Sequence, residues 1–150
     1  MNLIYLSLGS NLGDREKNLE TALSELKNEG IVILKKSSIY ETAPWGYEKQ
    51  PEFLNMAMEG LTLLEPYDLL KLIKEIENKM GRKKTIKYGP RVIDIDIIFY
   101  NNIILKSEVL TIPHPLMHKR DFVLKPLCEI ASEFIHPELK ISVKKLLDNL

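Results

Sequence analysis

The chain of 150 residues carries a single cysteine, Cys128. One thiol forms neither an internal disulfide framework nor a multi-cysteine metal site. Its apolar setting in LKPLCEIA reads as packing. No apolar run approaches the roughly 20 residues of a membrane span, and the start, MNLIYLSLGS, lacks the basic opening and long apolar core of a secretory signal. Neither sign of charge is in excess: 21 Lys plus Arg face 21 Asp plus Glu. No global field therefore points to a nucleic acid or a membrane surface; electrostatic function must be local, and the expected compartment is the cytoplasm. Internal repeats, low-complexity tracts and linkers are missing too. With 45% hydrophobic and 28% charged residues, the expectation is one domain over residues 1–150, large enough for a real core.

What is present reads as alternating elements. Leu3 to Leu8 is an apolar run stopped by Gly9, a buried strand. GSNLGDR is a glycine-punctuated turn whose Asp14 suits a helix N-cap. Leu19, Ala22, Leu23 and Leu26 then recur at helical spacing, and Asn28-Glu29-Gly30 ends that helix. Ile31 to Tyr40 and Phe53 to Leu64 read as strands around the proline- and aromatic-rich loop ETAPWGYEKQPEF. Pro66 opens a second helix, with Leu69, Ile73, Ile76 and Met80 on one face and Gly81 at its end. A strand follows in GPRVIDIDIIFY, and Asn101-Asn102 predicts a tight turn returning Ile103 to Leu105 against it. The last third reads as short helical pieces and prolines. The order β-α-β-β-α-β plus a C-terminal extension matches an α+β, ferredoxin-like antiparallel sheet with its helices on one face.

Aspartate is a poor strand residue, yet Asp94 and Asp96 interrupt a run of isoleucines. By alternation, Ile93, Ile95, Ile97 and Phe99 face the core and the aspartates share the other face with Val92, Ile98 and Tyr100. Two residues apart, their Cα atoms lie roughly 6.5–7 Å from each other. Paired carboxylates there suit magnesium, which takes hard oxygen ligands and keeps room for phosphate. A merely solvated strand face competes with that reading. Favouring the metal is the preceding segment, with Arg82, Lys83, Lys84, Lys87 and Arg91 and no acid among residues 82–91. Carboxylates for a metal beside cations for phosphate oxygens are what a magnesium polyphosphate requires. Arg82 and Arg91 are the first choices for contact, since guanidinium forks match phosphate. TIPHPLMHKRDF adds His114, His118, Lys119 and Arg120. Zinc is the weaker idea there, because a proline-broken segment does not hold two histidines on one helical face. GSNLGDR fails as a P-loop, having Asp14 and Arg15 where lysine and a hydroxyl are needed. The aromatic loop with Asn55 fits a planar heterocycle or, equally, a surface loop pinned by Trp45.

Four blocks, LGSNLGDR, YETAPWG with QPEFLN, GR…YGPRVIDIDI and LTIPHPLMHKRDFVLKPL, together resemble the 6-hydroxymethyl-7,8-dihydropterin pyrophosphokinases of folate biosynthesis. The resemblance runs in order over nearly the whole chain. It implies transfer of pyrophosphate from ATP, the co-substrate, to the pterin hydroxymethyl group, giving AMP. It also implies two Mg2+ ions on Asp94 and Asp96, with Arg82, Lys84, Arg91, His114 and Arg120 on the phosphates. Adenine would lie near Ile98 and Thr111. Asn55 would read the pterin edge, Phe53 and Phe122 would sandwich the ring, and Thr42, Pro44 and Trp45 would complete its pocket. The protein would act as a monomer on small molecules. Lys74, Lys84, Tyr88, Val109 and Phe53 stand where family members frequently carry other residues. The two long loops, 42–51 and 82–91, are expected to close over substrates. A non-enzymatic ferredoxin-like binding or regulatory module is the alternative, and it leaves the conjunction of acids and basic loop unexplained.

Overall fold

A computed structural model describes residues 1–43, 50–81 and 91–150. The elements are β1 (Asn2–Ser10), α1 (Arg15–Asn28), β2 (Val32–Lys36), β3 (Tyr40–Thr42), β4 (Phe53–Thr62), α2 (Pro66–Lys79), β5 (Asp94–Tyr100), β6 (Leu105–Lys106), β7 (Thr111–Ile112), α3 (Asp121–Ala131) and α4 (Val143–Asp148). Local signals act as expected. Asp14 Oδ1 accepts the Lys17 N–H at 3.2 Å, Pro66 opens α2, and Gly30 and Gly81 adopt positive φ just past the two helices.

The main sheet runs β2-β4-β1-β5, with β3 also pairing β4, and its pairings are antiparallel. This is the strand order of the ferredoxin-like pattern. Leu19, Ala22 and Leu26 of α1 and Leu69, Ile73 and Ile76 of α2 cover one face, against Ile4, Leu6, Leu8, Met56 and Met58. The C-terminal extension is more than loose pieces: α3 and α4 cover part of the opposite face, burying Tyr5, Ala57, Phe99, Val123, Leu124 and Leu127. Pro126, inside α3, made that segment read as broken.

Two strand expectations need correction. β1 and β5 slip register, Tyr5 pairing Phe99 while Leu6 pairs Ile97, so Ile98 is an extra residue. Such a bulge reverses the alternation beyond it. Ile93, Ile95 and Ile97 pack beneath α1 and α2 as the alternation predicts, but Phe99 lies in the cluster on the other face and Tyr100 in the first. The segment after Asn101 does not return along β5. Leu105–Lys106 pairs instead with Thr111–Ile112. Asn101, at φ 49°, exchanges bonds with β1: its Oδ1 accepts the Leu3 N–H and its own N–H donates to Leu3 O.

Candidate active site

The C-terminal end of β1 and the N-terminal ends of β4 and β5 meet at one edge of the sheet. On the α3 side of that edge, Gly9 lies opposite both Asn55 and Asp94, and Ser7 opposite Ala57 and Asp96. The two carboxylates therefore share a face, and Gly9 gives a bare floor between Asp94 and Asn55. A Cβ at position 9 would come 3.0 Å from Asn55 Oδ1 and 3.4 Å from Phe53 Cδ1. The aspartates are tolerated because the reverse of the strand is well buried. Ile93, Ile95 and Ile97 are each at most 5% exposed, worth about 1.5–3 kcal/mol apiece, against a strand-propensity range of about 1 kcal/mol.

Asp96 keeps 35% of its side chain exposed. Desolvation, and then the neighbouring charge of Asp94, push its carboxyl up to about 8, the Arg120 guanidinium pulling the other way. His114 is pushed down to about 4 by burial and by Arg120. Its Nδ1 accepts the Leu116 N–H, so the neutral ring carries its proton on Nε2. That atom faces Asp96 Oδ2 at 4.0 Å. Backbone bonding holds the ring in place, His114 N–H donating to Ile98 O across the bulge. Arg120 is 8% exposed at the start of α3 and stacks over Phe122 at 5.5 Å. One acid pair thus faces a neutral imidazole N–H donor and a buried guanidinium, a set suited to a cation carrying an anionic ligand.

Beside it lies a second group. Asn55 is 3% exposed and its Nδ2 donates to Thr42 Oγ1 at 2.6 Å. Phe53 lies opposite Thr42 across the β3–β4 ladder. An oriented carboxamide next to an aromatic ring can read the edge and cover the face of a planar heterocycle. Tyr40 OH donates to Glu129 of α3, which also accepts the Ser38 N–H, tying β3 down.

Of the residues singled out in the sequence, Asp94, Asp96, His114 and Arg120 come together, and Thr42, Phe53 and Asn55 form the adjacent group. Ile98 is at the bulge, Phe122 is under Arg120, and Thr111 begins β7. Pro44, Trp45, Arg82 and Lys84 lie outside the described residues, as do most of both expected lids. Sequence reasoning missed Asn11, which is 2% exposed. Its N–H donates to Arg91 O and its Oδ1 accepts the Arg91 N–H, while its Nδ2 donates to Gln50 Oε1 and Pro51 O. One amide thereby anchors the strand-side ends of both loop segments. Arg15 adds a bond to Glu52 O and an ion pair with Glu41. Only a Gly-Ser-Asn turn announced Asn11. Gly9 likewise shows in the sequence only as the stop of a strand.

Comparison with known proteins gives a consistent picture. Residues 5–132 match the family model described as 7,8-dihydro-6-hydroxymethylpterin-pyrophosphokinase (HPPK). The chain is 47% identical over 133 residues to a 2-amino-4-hydroxy-6-hydroxymethyldihydropteridine pyrophosphokinase of Bacillus subtilis, covering 88% of this chain and 80% of that one. An enzyme of the same name from Aquifex aeolicus is 43% identical over 145 residues, covering 97% and 90%. The folic acid synthesis protein FOL1 of Dictyostelium discoideum is 50% identical over 149 residues, but this chain spans only 22% of its length. Among solved structures, Plasmodium falciparum HPPK-DHPS superposes with a TM-score of 0.76 at 18% identity, covering 99% of this chain and 44% of that one. That likeness is one of fold. No helix among the described residues is long and apolar enough to cross a membrane.

Proposed function

We propose, because the chain belongs to the 7,8-dihydro-6-hydroxymethylpterin-pyrophosphokinase family, that it transfers pyrophosphate from ATP to 6-hydroxymethyl-7,8-dihydropterin in folate biosynthesis. The products are AMP and the pterin diphosphate. The observation that carries this reading is the juxtaposition, around Gly9, of an acid pair and an oriented carboxamide. One group is suited to a metal polyphosphate and the other to a heterocycle, and the bare floor between them lets two substrates meet.

Asp94 and Asp96 offer hard oxygen donors on one strand face; they fit magnesium, two ions in this reading. Magnesium, when bound, neutralises phosphate charge and polarises the β-phosphoryl group. The chain's own residues position the reactants. His114 donates from Nε2 to a phosphate oxygen, and Arg120 supplies fixed positive charge beside it. Arg91, with Arg82 and Lys84, holds the remaining phosphate oxygens. Ile98 and Thr111 border the adenine. Asn55 and Thr42 bind the pterin edge, with Phe53 and Phe122 against its faces and Pro44 and Trp45 closing the pocket. The transition state for phosphoryl transfer asks for little covalent work, so in-line alignment and charge balance dominate. In this reading residues 1–150 act as one domain and as a monomer in the cytoplasm. Product analysis tests the reaction: incubation with ATP, pterin and Mg2+ yields AMP, whereas ADP as the nucleotide product would refute pyrophosphoryl transfer.

A further inference from the structure

Among the described residues β5 ends the sheet and pairs only with β1, so its outer edge draws on side-chain partners. Ile95 sits between Asp94 and Asp96, and its backbone points away from β1. Its N–H donates to Glu77 Oε2 at 2.9 Å. Glu77 is 1% exposed and lies on the face of α2 otherwise made of Leu69, Leu72, Ile73 and Ile76. Lys74, one turn earlier and exposed, places Nζ 3.7 Å from Oε1. A carboxylate at that depth carries a large desolvation penalty, and a leucine would complete the apolar face without it. Among the described residues, the acid accepts from the one backbone amide lying between the two aspartates.

We infer that Glu77 is a positioning residue for the acid pair. By holding the Ile95 amide it fixes the first residues of β5, and so the separation and tilt of the Asp94 and Asp96 carboxylates. It touches neither substrate, acting through the strand. Its charge also reaches Asp96 from behind, so the site gathers three acids, two at the cation and one that sets their frame. This inference rests on reading Asp94 and Asp96 as magnesium ligands.

Glu77→Gln keeps an acceptor for Ile95 and removes the charge; Glu77→Leu removes both. The readouts are Mn2+ binding with a non-hydrolysable ATP analogue, followed by electron paramagnetic resonance, amide exchange at Ile95, and kcat against pterin KM. Glu77→Leu is expected to bind Mn2+ about 10- to 100-fold more weakly and to lower kcat, with pterin KM unchanged and Ile95 exchange accelerated. Glu77→Gln should retain Ile95 protection and most of the Mn2+ affinity. Wild-type Mn2+ affinity in Glu77→Leu, or equal losses in both variants with Ile95 still protected in Glu77→Gln, would overturn the positioning role. Should Glu77→Leu fail to fold, Glu77→Gln decides: protection and affinity that move together support the role, and protection that changes without affinity, or the reverse, overturns it. A wild-type protein that binds no Mn2+ with the nucleotide would instead sink the reading of the aspartates themselves.

Discussion

His114 Nε2 lies 4.0 Å from Asp96 Oδ2, yet the two do not form an ion pair at neutral pH. Burial and Arg120 keep the imidazole uncharged, while desolvation and Asp94 keep a proton on Asp96. A divalent cation must displace that proton. Binding of Mg2+ with an ATP analogue at pH 7 should therefore release close to one proton. Calorimetry in buffers of different ionisation heat measures it, and the apparent affinity should rise with pH until about 8. Asp96→Asn should abolish the release and most of the activity while leaving the fold intact. An unchanged proton count in that variant would assign the proton elsewhere.

Asn11 makes four hydrogen bonds linking the turn after β1 to Arg91, Gln50 and Pro51. Asn11→Ala strands buried backbone groups, costing about 1–3 kcal/mol of stability. It also frees the ends of two segments that carry proposed phosphate and pterin contacts. Small misplacements of reacting groups cost up to about 100-fold in rate, so kcat should fall much more than either substrate's affinity. Steady-state kinetics beside a thermal melt separates the effects. A variant that loses stability but keeps kcat would make Asn11 structural only.

The β-α-β-β-α-β order was legible because each helix carries both a 3.6-residue stripe and its own start and stop signals, Asp14 and Gly30 for α1, Pro66 and Gly81 for α2. The acid pair was legible because aspartate contradicts its strand. What escaped depended on partners distant in sequence. The bulge at Ile98 has no glycine to mark it and arises from the slip between β1 and β5, so Phe99 was placed on the wrong face. The α3–α4 layer was hidden by Pro126. Asn11 resembles any turn asparagine until Arg91, 80 residues on, is brought beside it. Nothing in the sequence marks Glu77, and its bond to Ile95 at the edge of β5 gives it a role.

Gly9 is required by proximity rather than by backbone conformation. Gly9→Ala places a methyl group 3.0 Å from Asn55 Oδ1 and 3.4 Å from Phe53, displacing the carboxamide from its bond to Thr42. Pterin KM should rise about tenfold, equivalent to about 1.4 kcal/mol, with binding of the magnesium nucleotide nearly unchanged. Thr42→Val, which removes the hydroxyl that orients Asn55, should give the same pattern more weakly. Equal loss of nucleotide and pterin affinity in either variant would mean the two groups are not separate subsites.

The titrations also set opposing limbs of stability in the protein without ligands. His114 and His136 have folded pKa values below the ordinary 6.5, chiefly through burial. The unfolded chain therefore binds more protons than the folded one, and these groups lower stability as pH falls below 6.5. For His114, whose value is about 4, the loss reaches about 3 kcal/mol by the acid end of that window. Asp96 acts in the other sense. Its folded pKa, near 8, lies above the unfolded value of 3.8, so its protonated form adds stability that is lost as pH rises through 8. Between pH 6.5 and 4.5 Asp96 offsets the His114 contribution in the wild-type chain, His136 leaving a residual acid loss, and above 6.5 Asp96 makes stability decline. Asp96→Asn should flatten the alkaline limb and expose a steep acid one. Adding His114→Gln should then reduce that acid slope, leaving the part due to His136. Thermal melts of the three proteins from pH 4.5 to 8.5 check this, and a wild-type curve that climbs steadily to pH 8 would contradict the assignment of Asp96.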